Sequence, residues 1–309
     1  MSKDYYQIEW DATLEDDLRQ LVRLAVREDL DREYDWTTVA LVGPDVRGKA
    51  TIVTRQDGIL AGMRCLPVVI DEMQADIQFD ARASDGQAVL ANTVVAELVG
   101  SARDILTCER PLLNFLAHLS GIATLTREYA RQIEGTKARI FDTRKTTPGW
   151  RRLEKYAVRC GGGVNHRTGL FDAILIKDNH LALAGEAGLS PTEAVCRARE
   201  FLAHFSAEFT NKNLLVEIEI ERLEQLEDVL VAGPDIVLLD NMPPDQLRQA
   251  VSRRNNVRPQ VELEASGGIS LENVRQIALT GVERISVGAL THSAPWLNVA
   301  LDWTPSTGR

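Results

Sequence analysis

Two short stretches limit what this chain can fold into more than anything else in it. In Val216-Glu217-Ile218-Glu219-Ile220 the apolar residues fall on one face of an extended strand and both glutamates on the other. Val261-Glu262-Leu263-Glu264-Ala265-Ser266 repeats the pattern, with Ser266 on the glutamate side. Both belong to a series of short apolar segments (138–143, 173–178, 214–220, 235–240, 261–266 and 284–288) that alternate with helical stretches. Such alternation with short links implies a parallel sheet with right-handed crossovers, open or closed. The step of 21 residues from Glu219 to Asp240 is that of compact strand–helix units. Strands covered by helices are normally apolar on both faces, and a barrel interior is normally filled by Val, Ile and Leu. A charged inner face therefore has to hold counter-charges, water or a ligand.

Counter-charges are near in sequence. Residues 139–177 hold nine basic side chains (Arg139, Arg144, Lys145, Arg151, Arg152, Lys155, Arg159, Arg167, Lys177) against Asp142, Glu154 and Asp172, in a chain whose net charge is -10. Arg151, Arg152 and Lys155 fall on an expected helix and read equally well as a solvated basic face. Arg144, Lys145 and Lys177 stand at the C-terminal ends of expected strands, the edge where α/β sheets and barrels bind ligands. Glu219, Asp240 and Ser266 end their strands likewise, with Gly267 and Gly268 following. Lysines and an arginine suit phosphate or carboxylate, and the carboxylates suit Mg²⁺ or ribose hydroxyls, so a polyanionic ligand with a divalent metal explains the set. Gly161-Gly162-Gly163 and Gly267-Gly268 permit close backbone approach to phosphate.

The first hundred residues have another texture. Thr13 and Asp16, ahead of Leu14, Leu18, Leu21, Val22 and Ala25, read as a capped amphipathic helix ending near Asp29. Short glycine-punctuated segments between Ala40 and Val99 suggest a small sheet with a helix near 65–74, followed by a buried helix over 109–119. Ser190-Pro191-Thr192-Glu193 carries the N-cap, N1 and N3 residues of a helix start. The length of 309 residues fits two domains of ~150 residues or a barrel with an accessory part. An acidic chain with only local basic clusters is a poor nucleic-acid or membrane binder, and no apolar run is long enough to span a bilayer. The start of the chain lacks a signal-peptide pattern. Cys65, Cys108, Cys160 and Cys196 are widely spaced, which argues for buried reduced thiols in a cytoplasmic protein rather than a disulfide framework or zinc site.

The central residues resemble a known family. Thr143-Arg144-Lys145-Thr146-Thr147-Pro148-Gly149, Glu154-Lys155-Tyr156-Ala157-Val158-Arg159-Cys160-Gly161-Gly162-Gly163, Asn165-His166-Arg167 and Ile176-Lys177-Asp178-Asn179-His180 look like the signature of quinolinate phosphoribosyltransferases. Glu109-Arg110-Pro111-Leu112-Leu113-Asn114 upstream, and Glu217-Ile218-Glu219, Leu238-Leu239-Asp240-Asn241-Met242, Leu263-Glu264-Ala265-Ser266-Gly267-Gly268-Ile269 and Ile285-Ser286-Val287-Gly288 downstream, follow in the family's order. One departure is Tyr34-Asp35-Trp36-Thr37, where a Gly-Asp-x-Thr turn is expected.

The resemblance implies an α/β fold. An N-terminal open-faced α/β sandwich (1–116, rejoined by 291–309) would be linked to an irregular α/β barrel (117–290) of the type II phosphoribosyltransferase kind. It implies a pentosyltransferase that moves the phosphoribosyl group of phosphoribosyl pyrophosphate to quinolinate with decarboxylation, giving nicotinate mononucleotide for NAD biosynthesis. Arg110, Arg144, His166 and Arg167 would bind the two carboxylates, and Lys145 and Lys177 would face both ligands with Thr143 beside them. Glu219 and Asp240 would meet the ribose and hold the Mg²⁺ cofactor, directly or indirectly, while Ser266, Gly267, Gly268 and Gly288 line the phosphate end. Lys145, Glu219 and Asp240 would be the catalytic set. It also implies a homodimer, or a higher oligomer, with shared active sites. A nicotinate phosphoribosyltransferase-like enzyme and a catalytically silent ligand sensor are the competing readings.

Overall fold

The computed structural model describes residues 4–184, 188–209 and 214–304. Its twelve strands are Arg47–Thr54 (β1), Gly58–Ile59 (β2), Ile77–Ala81 (β3), Ala88–Val89 (β4), Val94–Ser101 (β5), Arg139–Phe141 (β6), Ala173–Ile176 (β7), Leu215–Ile220 (β8), Ile236–Asp240 (β9), Glu262–Ser266 (β10), Arg284–Ser286 (β11) and Val299–Thr304 (β12). The chain forms two compact units. One gathers residues 4–7, 128–145 and 163–289, and the other gathers 8–127, 146–162 and 290–304. Against the expected 1–116 and 117–290, two segments change sides. Residues 4–7 belong with the barrel strands, and 146–162 with the antiparallel sheet.

In the first unit, β6-β11-β10-β9-β8-β7 form one sheet whose pairs are all parallel. The order joins each strand of the alternating series to its neighbour, with β6 inserted beside β11. Val164 bridges Phe141 in parallel, so the chain after Gly163 runs along the outer edge of β6. The outward faces of β8, β9 and β10 are packed with Val216, Ile218, Val237, Leu239 and Leu263, all fully buried. Ser190 and Glu193 make the expected reciprocal cap, with Ser190 N donating to Glu193 Oε2 (2.9 Å) and Glu193 N to Ser190 Oγ (3.3 Å).

The second unit is built on the antiparallel sheet β12-β1-β5-β3, with the small pair β2-β4 beside it. Helix Ala12–Leu30 presents Leu14, Leu18 and Val22 as one buried stripe. Its cap is Asp11, whose side chain accepts from Leu14 N at 2.8 Å, so it starts earlier than the Thr13 cap anticipated and Thr13 lies inside it. The buried helix expected at 109–119 is part of a 31-residue helix, Ala102–Gln132, that tolerates Pro111 in its interior. At the departure from the family turn, Asp35 caps helix Trp36–Leu41, accepting from Thr38 N (3.0 Å) and Thr38 Oγ1 (2.5 Å). An aspartate there needs no glycine before it to do this. The helix Arg151–Gly161 is not a solvated basic face. Lys155 and Glu154 are wholly buried, and Arg152 pairs with Asp17 at 2.7 Å. All four cysteines are free, Cys65 and Cys108 buried as expected, Cys160 half-buried and Cys196 exposed against expectation. No helix among the described residues is long and apolar enough to cross a membrane.

Candidate active site

The charged inner face of the parallel sheet splits into a buried layer and a rim. Glu217 and Glu264 are completely buried, whereas Glu219, two residues on, sits partly exposed at the strand end. The counter-charges of the buried layer are Arg284 and His166. Arg284 stands directly opposite Glu264 in the β10–β11 register and is itself fully buried. It donates to Glu264 (3.0 Å) and Glu262 (2.9 Å), and its guanidinium lies 3.9 Å from the Phe141 ring centroid. Arg139 adds a longer pair to Glu262 at 3.5 Å and bonds Asp4 at 2.7 Å. Arg284 was missed in the sequence, although its parity with Ser286 and Gly288 is the signal that could have revealed it.

His166 was expected to turn its ring to a ligand carboxylate. Both ring nitrogens are instead engaged by the protein. Nε2 lies 3.2 Å from Glu217 and 3.4 Å from Glu264, and Nδ1 accepts the Arg167 N–H at 2.8 Å. Burial works against a charged imidazole here, but the carboxylates of Glu217 and Glu264 outweigh it and lift the pKa to about 9. Below that value both ring nitrogens carry a proton and the imidazole is a cation; the bond from the Arg167 N–H to Nδ1 belongs to the neutral ring that forms above it. In either state Nε2 carries a hydrogen and donates to the carboxylates. Burial would raise the Glu264 carboxyl, yet His166 and Arg284 hold it down at about 2. Tyr5 packs its ring 4.5 Å from that of His166 and donates its hydroxyl to Glu217. His166, Glu217 and Glu264 could between them offer three ligand atoms to a metal ion. Arg284 and the imidazole already supply the positive charge such an ion would bring.

Above this layer, the parallel strands bring their C-terminal ends to one rim. Thr143, Arg144 and Lys145 follow β6, Lys177 follows β7, Glu219 and Asp240 close β8 and β9, Ser266 closes β10 and Gly288 follows β11. Ser266 pairs in register with Asp240, and Glu219 with Leu238, so these ends are neighbours. Lys145 is exposed, with its backbone N–H donating to Thr143 Oγ1 at 3.0 Å. The Lys177 ammonium bonds the Glu219 carboxylate, and Asp240 accepts from Asn241 Nδ2 at 2.8 Å. Gly267 has φ +89°, and a Cβ there would stand 2.2 Å from Asn241 Oδ1, so only glycine fits. Gly268, at φ +61°, faces open space.

Arg167 is buried and its guanidinium reaches Ala173 O at 3.5 Å, spanning from the edge of β6 towards β7. Burial lowers its pKa, and the positive charge of Arg144 lowers it further. Arginines brought with lysines to the ends of parallel strands suit an anionic ligand. Of the expected residues, the barrel unit thus gathers all but Arg110. Arg110 lies on helix Ala102–Gln132 in the other unit, with its side chain 68% exposed and paired with its neighbour Glu109 at 2.5 Å.

A parallel α/β barrel with paired guanidiniums, lysines and strand-end carboxylates at one rim defines an enzyme for small anionic, phosphorylated substrates. The family model described as quinolinate phosphoribosyl transferase, N-terminal domain, matches residues 35–120, and the C-terminal domain model matches residues 122–302. This chain belongs to the quinolinate phosphoribosyltransferase family. A Mycobacterium leprae protein named nicotinate-nucleotide pyrophosphorylase (carboxylating) is 42% identical over 289 residues, covering 93% of this chain and 97% of that one. A Bacillus subtilis protein, named a probable enzyme of the same kind, is 42% identical over 258 residues, 84% of each. The solved nicotinate-nucleotide pyrophosphorylase of Francisella tularensis superposes with a TM-score of 0.87 at 39% identity, covering 97% of this chain and all of the other. Human nicotinic acid phosphoribosyltransferase shares the fold alone, at 14% identity and a TM-score of 0.51; the nicotinate reading is not favoured, because the matching family models and the relatives above are of the quinolinate, carboxylating kind.

Proposed function

We propose that this chain joins quinolinate to the ribose of phosphoribosyl pyrophosphate, releasing pyrophosphate and CO₂ and leaving nicotinate mononucleotide, and that its rim residues divide this work. The gathering of Arg144, Lys145, Arg167 and Lys177 at the strand ends of one unit carries the reading, because a dicarboxylate beside a sugar phosphate matches that positive charge. The dicarboxylate is held there, with Lys145 and Lys177 between it and the sugar phosphate. Ser266, Gly267, Gly268 and Gly288 receive the phosphate end, where the backbone of Gly268 is open to close approach.

Asp240 and Glu219 fit a Mg²⁺ ion, which keeps most of its waters and asks only one or two carboxylates of a protein. Asp240 is the freer donor, since the Lys177 ammonium already occupies Glu219. When bound, Mg²⁺ would neutralise charge on the departing pyrophosphate. Lys145 and the rim cations stabilise the same developing charge, while Glu219 and Asp240 face the ribose as its C1 becomes oxocarbenium-like. The pyridine nitrogen that attacks C1 carries no proton, so no general base is needed for the transfer. Once the ring is cationic, loss of the carboxylate beside the nitrogen leaves a carbanion stabilised by that charge.

The enzyme is proposed to work in the cytoplasm as a two-fold dimer in which Arg110 of one subunit completes the other subunit's site. Support comes from the exposed placement of Arg110 outside the barrel unit. The test is direct. Purified protein is incubated with phosphoribosyl pyrophosphate, Mg²⁺ and either quinolinate or nicotinate. Release of CO₂ with nicotinate mononucleotide from quinolinate, and little turnover of nicotinate, is the expected result. Equal turnover of both acids would reject the dicarboxylate reading.

A further inference from the structure

We infer that Gln7 is a positioning residue for the anion site, holding from the chain's first described residues the turn that presents Arg167. The inference rests on the reading of Arg167 as a ligand of the dicarboxylate.

The turn Asn165-His166-Arg167 belongs to no strand, yet Asn165 and His166 are buried. Their backbone groups therefore need partners from elsewhere. Gln7 supplies both for Asn165. Its Oε1 accepts the Asn165 N–H at 2.8 Å, and its Nε2 donates to the Asn165 carbonyl at 3.1 Å. One primary amide thus imitates the edge of a neighbouring strand, offering a donor and an acceptor at the right spacing. The same Nε2 also donates to Tyr5 O at 2.9 Å, which fixes the amide's orientation. Asp142, the residue after β6, completes the clamp by accepting from His166 N (2.9 Å) and Asn165 Nδ2 (2.6 Å). Two residues before Gln7, Tyr5 packs on the His166 ring and bonds Glu217. Residues 5–7 thereby grip the turn at its backbone and at its imidazole.

The consequence concerns Arg167 and not the rim at large. The turn is tied to Gln7 through Asn165, to Asp142 through Asn165 and His166, and to the lumen carboxylates through the His166 ring. Arg167 continues directly from it. Lys145, Lys177, Glu219, Asp240 and Ser266 stand at or just past the ends of hydrogen-bonded strands, whose ladders hold them independently of the turn. Loss of the Gln7 amide should then move Arg167 against Arg144 and leave the phosphate end in place. Neither family model reaches residues 5–7, which precede the first matched position, residue 35.

Gln7→Met keeps the length of the side chain and removes its donor and acceptor. Steady-state kinetics with quinolinate and phosphoribosyl pyrophosphate, each varied, should show KM for quinolinate raised about tenfold, the scale of a modest misplacement of a binding group. The kcat and the KM for phosphoribosyl pyrophosphate should stay within about twofold. Gln7→Glu, which retains the acceptor for Asn165 N–H, should fall between the two and secures the measurement if the methionine variant folds poorly. Arg167→Ala is the reference. If it raises the quinolinate KM while both Gln7 variants leave it unchanged, the positioning role is wrong and the ligand role of Arg167 stands. If Arg167→Ala leaves that KM unchanged, the ligand reading fails and takes this inference with it. Equal loss in both KM values and in kcat would mark Gln7 as a general structural residue and overturn the proposal.

Discussion

Replacing Arg284 with methionine should show how far the barrel depends on its buried charges. In the native protein the fully buried set holds two carboxylates, Glu217 and Glu264, against two cations, Arg284 and an imidazole whose pKa is lifted to about 9. Arg284→Met fills much of the same volume and leaves two negative charges facing one positive. Glu264 then loses its 3.0 Å bond and keeps the 3.4 Å approach of His166, and Glu262 loses its 2.9 Å bond. Removing one partner of a buried ion pair typically costs about 3–5 kcal/mol. With a urea slope of about 3 kcal/mol/M, the midpoint should fall by roughly 1–1.7 M. Glu264→Gln in the native background should cost about 1–2 kcal/mol, since a charged hydrogen bond is weakened while the amide oxygen still accepts. In the Arg284→Met background the same change removes the uncompensated charge and should restore about 1 kcal/mol, so the coupling between the two sites is about 2–3 kcal/mol, the size seen between residues in one network. Urea unfolding followed by tryptophan fluorescence on the four proteins measures all of these quantities. If Glu264→Gln destabilises both backgrounds equally, the charge accounting is refuted.

Stability should also follow pH through the same pair. Glu264 is held at about 2, so its contribution is present above the ordinary carboxylate range and lost as pH falls towards 2; His166 is lifted to about 9, so its contribution is present below about 6.5 and lost as pH rises through 9. Thermal melts across pH 3–10 should peak between those flanks, and Glu264→Gln should flatten both. Glu219→Ala with Asp240→Ala should abolish turnover while leaving the thermal midpoint within a few degrees, and excess chelator should silence the native enzyme; turnover in chelator would exclude a metal role. For the shared site, Arg110→Ala and Lys145→Ala proteins, each nearly inactive, are mixed in equal amounts and allowed to exchange subunits. About a quarter of sites should recover by two-fold counting. No recovery despite demonstrated exchange would place Arg110 in its own subunit's site.

The strands of the barrel were readable because each is a short apolar run, several of them with a glutamate, lysine or aspartate at the end, a pattern that needs no knowledge of its neighbours. The inner face was readable for the same reason, through the alternation in 216–220 and 261–266. What escaped was whatever depends on pairing between strands. Arg284 finds Glu264 only because β10 and β11 are neighbours in a fixed register, which its own segment does not disclose. Lys155 looked solvated because its helix is rich in charge, and its burial is a property of the unit that surrounds it. His166 was read as a ligand from its place between a glycine run and Arg167, and only the position of Glu217 and Glu264 shows where its ring points. Gln7 and Tyr5 carry no periodic signal at all.

The way the chain threads between its two units bears on how a ribosome can make it. Residues 4–7 of the barrel unit must wait for Asn165 and Glu217 to emerge before Gln7 and Tyr5 can make these bonds. The antiparallel sheet is open on one side of β1 until Val299–Thr304 is translated and pairs there. The parallel sheet has all its strands once Ser286 is translated, whereas the antiparallel sheet still lacks β12, so a nascent chain stalled between the two carries one complete sheet and one open one. Chaperone contact and protease cleavage of such stalled chains should then concentrate on the antiparallel unit, at the open edge of β1.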